Sequence, residues 1–141
     1  MANKKISEIL KDLTPAVVAT DENGKPYTTF ITWLIAKDDN TLRFAANKDS
    51  RTIKNIQNNP NVAIEVFDKD TALSIQGKAK IIKDEIEDIP FPVSVVEVNV
   101  ENITDNLFPG GTVEGQIPFK HTGDIQKAEE LDQKVLEELK A

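Results

Sequence analysis

The sequence predicts a mainly β protein, a six-stranded antiparallel barrel with flanking helices. Two observations support this fold class. Six segments rich in apolar and β-branched residues are joined mostly by short turns, with one helix inserted among them. Closing these strands into a barrel would also remove the exposed edges that such apolar strands otherwise present.

The composition limits the classes of protein to consider. A chain of 141 residues is expected to form one domain, residues 1–141, that ends in a helix at about 124–140. The net charge of −7 disfavours nucleic-acid partners, and the lack of cysteine excludes disulfides, thiolate zinc sites and a cysteine nucleophile. The sequence contains neither a membrane-spanning apolar run nor a signal-peptide pattern at its start, so we expect a cytoplasmic protein.

Local patterns predict the first elements. Residues 6–13 carry apolar side chains at helical spacing, and Pro15 ends that helix. Residues 16–20 form a short strand, and Asn23-Gly24 predicts a tight hairpin turn. Residues 27–36 (YTTFITWLIA) are expected to form one continuous strand with two apolar faces. One face would carry Tyr27, Ile31, Trp33 and Ile35, and the opposite face would carry Phe30, Leu34 and Ala36. Such a strand requires cover on both sides, by a core and by a ligand or partner subunit.

The remaining elements follow in the same way. Strands are predicted over residues 42–46, 62–67, 72–83 and 94–103, and a helix over about 50–58. Residues 106–122 are rich in glycine and proline and are expected to form a loop on the surface or over a pocket. Asp124 is a plausible N-cap for the last helix, whose apolar stripe would pack on its own barrel or across a dimer.

The segment from residue 42 to 66, LRFAANKDSRTIKNIQNNPNVAIEV, is the most informative about function. It places Ser50 and Arg51 at the start of a helix, where a hydroxyl, a guanidinium and the helix dipole together suit a phosphate. The chain has only one other arginine, Arg43. The pattern indicates a phosphorylated ligand such as flavin mononucleotide (FMN), although a plain N-cap beside a solvated arginine would give the same sequence.

The ordered set of segments resembles the FMN-binding split-barrel family, the group related to pyridoxamine 5′-phosphate oxidase. The resemblance is carried by "ENGKPYTTFITWLIAKDDNTLRFAANKDSRTIKNIQNNPNVAIEVF" and by "LSIQGKAKII", and it spans about residues 14–83. It implies a split β-barrel that binds FMN at a homodimer interface. Such an interface would also account for the two apolar faces of the strand at 27–36.

The resemblance also implies roles for individual residues. Ser50 and Arg51 would hold the phosphate, with Thr52 beside them, and the strand before the helix would place Ala45 and Ala46 next to the flavin. The isoalloxazine ring would be lined by the second strand, at Thr29, Ile31, Thr32 and Trp33.

The chain departs from the family pattern at several of these positions. The oxidases have an Arg-Lys pair where Thr29 and Leu34 stand, and a lysine where Thr52 stands. Fewer cations predict weaker phosphate binding, which Lys48 or Lys54 could partly restore. The C-terminal Arg-x-His substrate motif is missing, so we do not expect oxidation of pyridoxamine phosphate itself.

No acid, base, nucleophile or metal-ligand set stands out in the sequence. His121 is the only histidine, it lies in the predicted loop, and no partner for it can be identified from the sequence. The resemblance therefore indicates an oxidoreductase of unknown substrate whose chemistry belongs to the flavin. Two alternatives stay open: a non-catalytic binding or regulatory protein that has lost flavin, and a protein that uses deazaflavin or haem in the same cleft.

Overall fold

The computed structural model describes residues 5–141, which form seven strands and three helices. The strands are β1 (Ala16–Glu22), β2 (Lys25–Ile31), β3 (Leu34–Asp38), β4 (Thr41–Asn47), β5 (Asn61–Asp68), β6 (Thr71–Lys83) and β7 (Val93–Asp105). The helices are α1 (Ile6–Ile9), α2 (Arg51–Asn58) and α3 (Ile125–Lys140). The fold is mainly antiparallel β, as the sequence predicts. No helix within residues 5–141 is both long enough and apolar enough to cross a membrane.

All seven strands belong to one sheet, in the order β2-β1-β5-β6-β7-β4-β3, and every pairing is antiparallel. The two edge strands, β2 and β3, are consecutive in the chain and are separated only by Thr32 and Trp33. This link reaches on the order of 10 Å, so the sheet must curl until its edges meet. The pairings among the described strands do not join β2 to β3, so the barrel remains split at this corner.

The prediction of six strands is wrong by one, because the segment at 27–36 is interrupted at Thr32-Trp33. The chain leaves one edge of the sheet there and turns into the other edge, which a continuous strand cannot do. The predicted alternation fails for the same reason. Ile31 and Leu34, expected on opposite faces, both lie in the barrel core, whereas Ile35 packs in a separate cluster. The predicted first helix is also shorter than expected and ends at Ile9.

The Asn23-Gly24 turn confirms the hairpin prediction. Asn23 has a φ of 53° and Gly24 a φ of 85°, and two positive values at the centre of a two-residue loop are typical of a type I′ turn. This turn connects β1 to β2 with Glu22 opposite Lys25.

Two apolar clusters hold the fold together. The larger one fills the barrel and includes side chains from all seven strands, α1 and α2, with Phe44, Ile64 and Ile75 fully buried. The second lies on the other side of β3 and β4, where Val135 and Leu139 of α3 pack with Ile35, Ala45, Ile86, Val93 and Val95. The stripe of α3 therefore packs on its own barrel, at least along its second half.

Helix α2 connects β4 to β5 and packs on the barrel through Ile53 and Ile56. Its buried Asn55 donates a hydrogen bond from Nδ2 to Oγ1 of Thr20, at 3.0 Å. Only residues 48–50 separate the end of β4 from α2, so the first turn of the helix lies beside that strand end, the region that the sequence singles out.

Candidate cofactor site

A cavity of about 260 Å³ lies where the β2–β3 corner, the end of β4 and the start of α2 come together. Its volume is close to the lower limit of typical small-molecule sites. The lining combines apolar side chains with hydroxyl and amide groups. The lining residues are Thr29, Phe30, Ile31, Thr32, Trp33, Ala45, Ala46, Asn47, Ser50 and Thr52.

Eight of the nine residues that the sequence assigns to a cofactor line this cavity. They are Ser50, Thr52, Thr29, Ile31, Thr32, Trp33, Ala45 and Ala46. The structure thus brings together residues from a strand end, a corner and a helix start. That these residues bind a cofactor stays a prediction.

Two lining residues, Phe30 and Asn47, were not among those assigned to the cofactor. Asn47 ends β4, its carbonyl oxygen accepts from the backbone N–H of Ser50 at 3.0 Å, and its side chain accepts from the N–H of Asp49 at 2.8 Å. Asparagine is common in turns because its side chain can accept a hydrogen bond from the backbone two residues later. That signal could have identified Asn47 as the residue that shapes the entry to α2.

The start of α2 has the features of a capped helix. Ser50 is the N-cap, and its Oγ accepts a hydrogen bond from the N–H of Ile53 at 3.3 Å. The first N–H groups of a helix have no partner inside the helix, and they carry partial positive charge. Ser50 therefore caps the helix through the N–H of Ile53, and the N–H groups of Arg51 and Thr52 at the start of the helix point away from any partner inside it.

Arg51, the ninth of the residues assigned from the sequence, does not line the cavity. Its Nε donates to Oε2 of Glu22 at 2.8 Å, a second guanidinium nitrogen pairs with Oε1, and its Cζ lies 4.3 Å from the centre of the Tyr27 ring. The hydrogen bond between the two side chains lowers the pKa of Glu22 and raises the pKa of Arg51. Arg51 instead lines a neighbouring polar cavity of about 410 Å³, together with Lys54 and four asparagines.

A hydrogen-bonded trio lies behind the β2–β3 corner. Nε1 of Trp33 donates to Oδ1 of Asp132 on α3 at 2.8 Å, and Oδ2 of the same carboxylate lies 2.6 Å from Nε2 of His121. His121 also meets the Phe119 ring edge-on, with centroids 5.4 Å apart, and Phe119 lies 6.0 Å from Phe30. The sequence offered no partner for His121, because Asp132 is brought to it only by the packing of α3.

The chain matches one known family. The sequence profile described as pyridoxamine 5′-phosphate oxidase matches residues 2–106, which is most of the chain. The chain belongs to this family. Comparison with curated protein sequences found no significant match.

Solved structures of low sequence identity share the fold of this family member. HupZ from Group A Streptococcus is 21% identical with a TM-score of 0.60, and the alignment covers 84% of this chain and all of HupZ. A FAD-binding protein from Mesorhizobium loti is 13% identical with a TM-score of 0.57, covering 73% and 92% of the two chains. An F420 reductase is 19% identical with a TM-score of 0.56, covering 73% and 98%.

The cavity is lined by side chains that do not supply an acid–base pair. None of the ten lining residues has a side chain that titrates near neutral pH. No group of three or more His, Cys, Asp or Glu residues between 5 and 141 is arranged to hold a metal ion. The lining can bind a molecule through apolar contacts and through hydrogen bonds from hydroxyl and amide groups.

Proposed function

We propose that this family member binds FMN in the cavity at the start of α2 and acts as an oxidoreductase on a substrate still to be identified. The observation that carries the proposal is the convergence of Ser50, Thr52, Trp33 and five further residues assigned from the sequence on one cavity beside a helix N-terminus. Membership of the pyridoxamine 5′-phosphate oxidase family supports it. The names of two structural neighbours, a FAD-binding protein and an F420 reductase, support a flavin-type cofactor.

The chemical groups in the cavity fit the two ends of FMN. The hydroxyls of Ser50 and Thr52 and the amides of the first turn of α2 would hold the phosphate. The apolar surface of Trp33, Ala45 and Ala46 would take the ring. When bound, the flavin supplies the hydride or electron transfer, while the protein orients it and excludes competing reactions.

Arg51 is the element of this proposal that requires a change in the structure. Its guanidinium is engaged by Glu22, but its side chain is 61% exposed, so its rotation toward a phosphate would cost little packing. Exposed ion pairs contribute only about 0–1 kcal/mol, and a dianionic phosphate is a stronger partner than one carboxylate. We propose that, when FMN binds, the Arg51 guanidinium either breaks its ion pair with Glu22 or contacts Glu22 and the phosphate together.

A homodimer with FMN at its interface is part of the same proposal. Phe30 and Phe119 lie side by side at the cavity, and they are 47% and 48% exposed, so they form a pair of adjoining exposed rings. A second copy would cover this surface and close the cavity. Sedimentation of the apo and FMN-loaded protein tests the homodimer, and a monomer in both states would contradict it.

A cytoplasmic location remains a prediction from the sequence.

The deciding experiment is a titration of the purified protein with FMN, followed by flavin fluorescence, with the visible spectrum recorded beforehand. We expect saturable binding and an increase in Kd of at least tenfold in Arg51→Ala, since a hydrogen bond to a charged group contributes about 1.5–3 kcal/mol. Lys69→Ala is the matched control, because Lys69 is exposed on the β5–β6 turn and its replacement removes one positive charge, as Arg51→Ala does. No binding up to millimolar FMN would reject the function, and an unchanged Kd in Arg51→Ala would reject the phosphate role.

The pairing of Arg51 with Glu22 favours a second candidate, a split barrel that has lost flavin or that takes another cofactor. As it stands, none of the ten residues described around the cavity carries a positive charge. Under this candidate the protein stays colourless in excess FMN. Absorbance spectra after incubation with deazaflavin or haem distinguish the remaining possibilities, because the two absorb at different wavelengths.

A further inference from the structure

Asp132 uses both of its carboxylate oxygens to join three separate parts of the chain. Oδ1 accepts from the indole Nε1 of Trp33 at 2.8 Å, and Oδ2 lies 2.6 Å from Nε2 of His121. A carboxylate only accepts hydrogen bonds, so Nε2 of His121 is the donor. Trp33 belongs to the β2–β3 corner, His121 to the loop before α3, and Asp132 to the second turn of α3.

The contacts made by this carboxylate reach the wall of the cavity. Trp33 lines the cavity directly, and its indole orientation is set by a hydrogen bond to a residue that lies outside it. The loop reaches the same wall a second time, through the ring of Phe119 against that of Phe30, another lining residue. Residues 119–121 and α3 thus support one side of the cavity from behind.

This support is not part of the region that matches the family, since the match ends at residue 106. The loop after β7 is attached to the sheet at its start as well, where the backbone N–H of Asn106 donates to the carbonyl of Ala72 at 2.8 Å and its Nδ2 donates to Oε1 of Glu65 at 2.9 Å. It is attached again at the β5–β6 turn. There the N–H of Asp70 donates to the carbonyl of Val113 at 2.8 Å, and the hydroxyl of Thr112 donates to Asp70 at 2.8 Å. Between that turn and α3, the side chains of Phe119 and His121 make the contacts that hold the loop to the corner.

We propose that Asp132 is a positioning residue for the cofactor cavity: it orients the Trp33 indole in the wall and fastens the loop at His121 against the same corner. For its effect on cofactor binding, the inference rests on the proposed FMN function. The orientation of Trp33 and the fastening of the loop do not depend on it, and they can be measured without any cofactor.

The protein allows a direct measurement, because Trp33 is its only tryptophan and intrinsic emission reports on that side chain alone. The variants are Asp132→Leu, which removes both bonds, and Asp132→Asn, whose carbonyl oxygen still accepts from the indole. Glu129→Leu is the control, because Glu129 is exposed on the same helix. In the apo protein we expect red-shifted Trp33 emission and about threefold or greater acrylamide quenching for Asp132→Leu. Asp132→Asn should remain close to wild type, and Glu129→Leu unchanged.

A second measurement follows the loop. Lys120 is the only lysine or arginine between residues 106 and 124, so tryptic cleavage after it reports on the fastening at His121. We expect Asp132→Leu and His121→Phe to be cut about three- to tenfold faster than wild type, and Glu129→Leu at the wild-type rate. Far-ultraviolet circular dichroism shows whether each variant folds. If Asp132→Leu does not fold, His121→Phe carries the test, and a wild-type cleavage rate in that variant would overturn the fastening of the loop.

The outcomes separate this inference from the proposed function. Wild-type emission and cleavage rates in Asp132→Leu would overturn the positioning role, whether or not FMN binds. Absence of FMN binding in the wild type, with altered Trp33 emission in Asp132→Leu, would reject the flavin function and retain the positioning of Trp33. If FMN binds, we expect Asp132→Leu to raise its Kd about three- to tenfold and Asp132→Asn to restore most of the affinity.

Discussion

Arg51 and Glu22 form an ion pair between the first residue of α2 and the last residue of β1, at 2.8 Å from Nε to Oε2. The Tyr27 ring lies under the guanidinium at 4.3 Å and adds a cation–π contact. The arginine that the sequence assigns to phosphate is therefore held by an acidic side chain. A phosphate at the start of α2 would compete with Glu22 for it.

Glu22→Gln is expected to raise the affinity for FMN. The substitution keeps the shape of the side chain and removes the charge that holds Arg51 away from the cavity. Because exposed ion pairs are weak, the decrease in Kd should be no more than about fivefold. Glu129→Gln, an exposed change of the same charge, is the control in the fluorescence titration. A higher Kd in Glu22→Gln would show that Glu22 positions Arg51 for the ligand instead of competing with it.

Glu65→Gln is expected to stabilise the protein at neutral pH. Burial raises the pKa of Glu65 on β5, an effect that the hydrogen bond from Nδ2 of Asn106 at 2.9 Å only partly offsets. A raised pKa means that the folded state favours the protonated form of Glu65. The protonated side chain therefore costs the folded state less than the charged one does. This advantage is lost as the pH rises from the ordinary pKa of about 4.3 through the raised pKa. The gain should therefore appear in urea unfolding at pH 7 and vanish near pH 3.5. Equal free energies of unfolding at pH 7 would contradict it.

Gly77→Ala is expected to destabilise the barrel. A Cβ at Gly77 on β6 would overlap the carbonyl oxygen of Asn99 and approach Cγ1 of Val98 to 2.9 Å. The pairing register shifts at this point, next to Glu101 in β7, so the backbones are closer than in a regular ladder. We expect a loss of about 1–3 kcal/mol in the free energy of unfolding. Gly111→Ala is the control, because a Cβ there meets no atom within 4 Å. Equal stabilities of the two variants would argue against the close contact.

Arg43→Met is expected to loosen the end of α3. Nε and Nη2 of Arg43 both lie 3.1 Å from Oε1 of Glu97, and Nη1 donates to the carbonyl of Leu139 at 3.1 Å. The Arg43 side chain is 14% exposed, so its removal leaves a carboxylate and a helix-end carbonyl poorly satisfied. We expect a loss of about 1–3 kcal/mol and faster hydrogen exchange in the last turn of α3. Unchanged exchange there would show that apolar packing alone holds the helix.

The sequence was sufficient for the parts of the fold that depend on neighbours along the chain. The hairpin at Asn23-Gly24 follows from backbone sterics, since few residue pairs accept two positive φ values. The start of α2 follows from the Ser50 hydroxyl, which caps a helix wherever one begins. Family resemblance then placed Thr32, Trp33, Ala45, Ala46 and Thr52 at one site, and the structure does bring them to one cavity.

Only the tertiary structure decided the features that join distant segments. The split of residues 27–36 into β2 and β3 depends on which two edges of the sheet must meet, and strand periodicity carries no information about that closure. Arg51 meets Glu22 because β1 passes the first turn of α2, 29 residues away in sequence. Trp33 meets Asp132 across 99 residues because α3 packs on β3 and β4. Alternation, turns and caps are local properties of a chain, whereas the partner of a polar side chain depends on which surfaces the folded barrel brings within hydrogen-bonding distance.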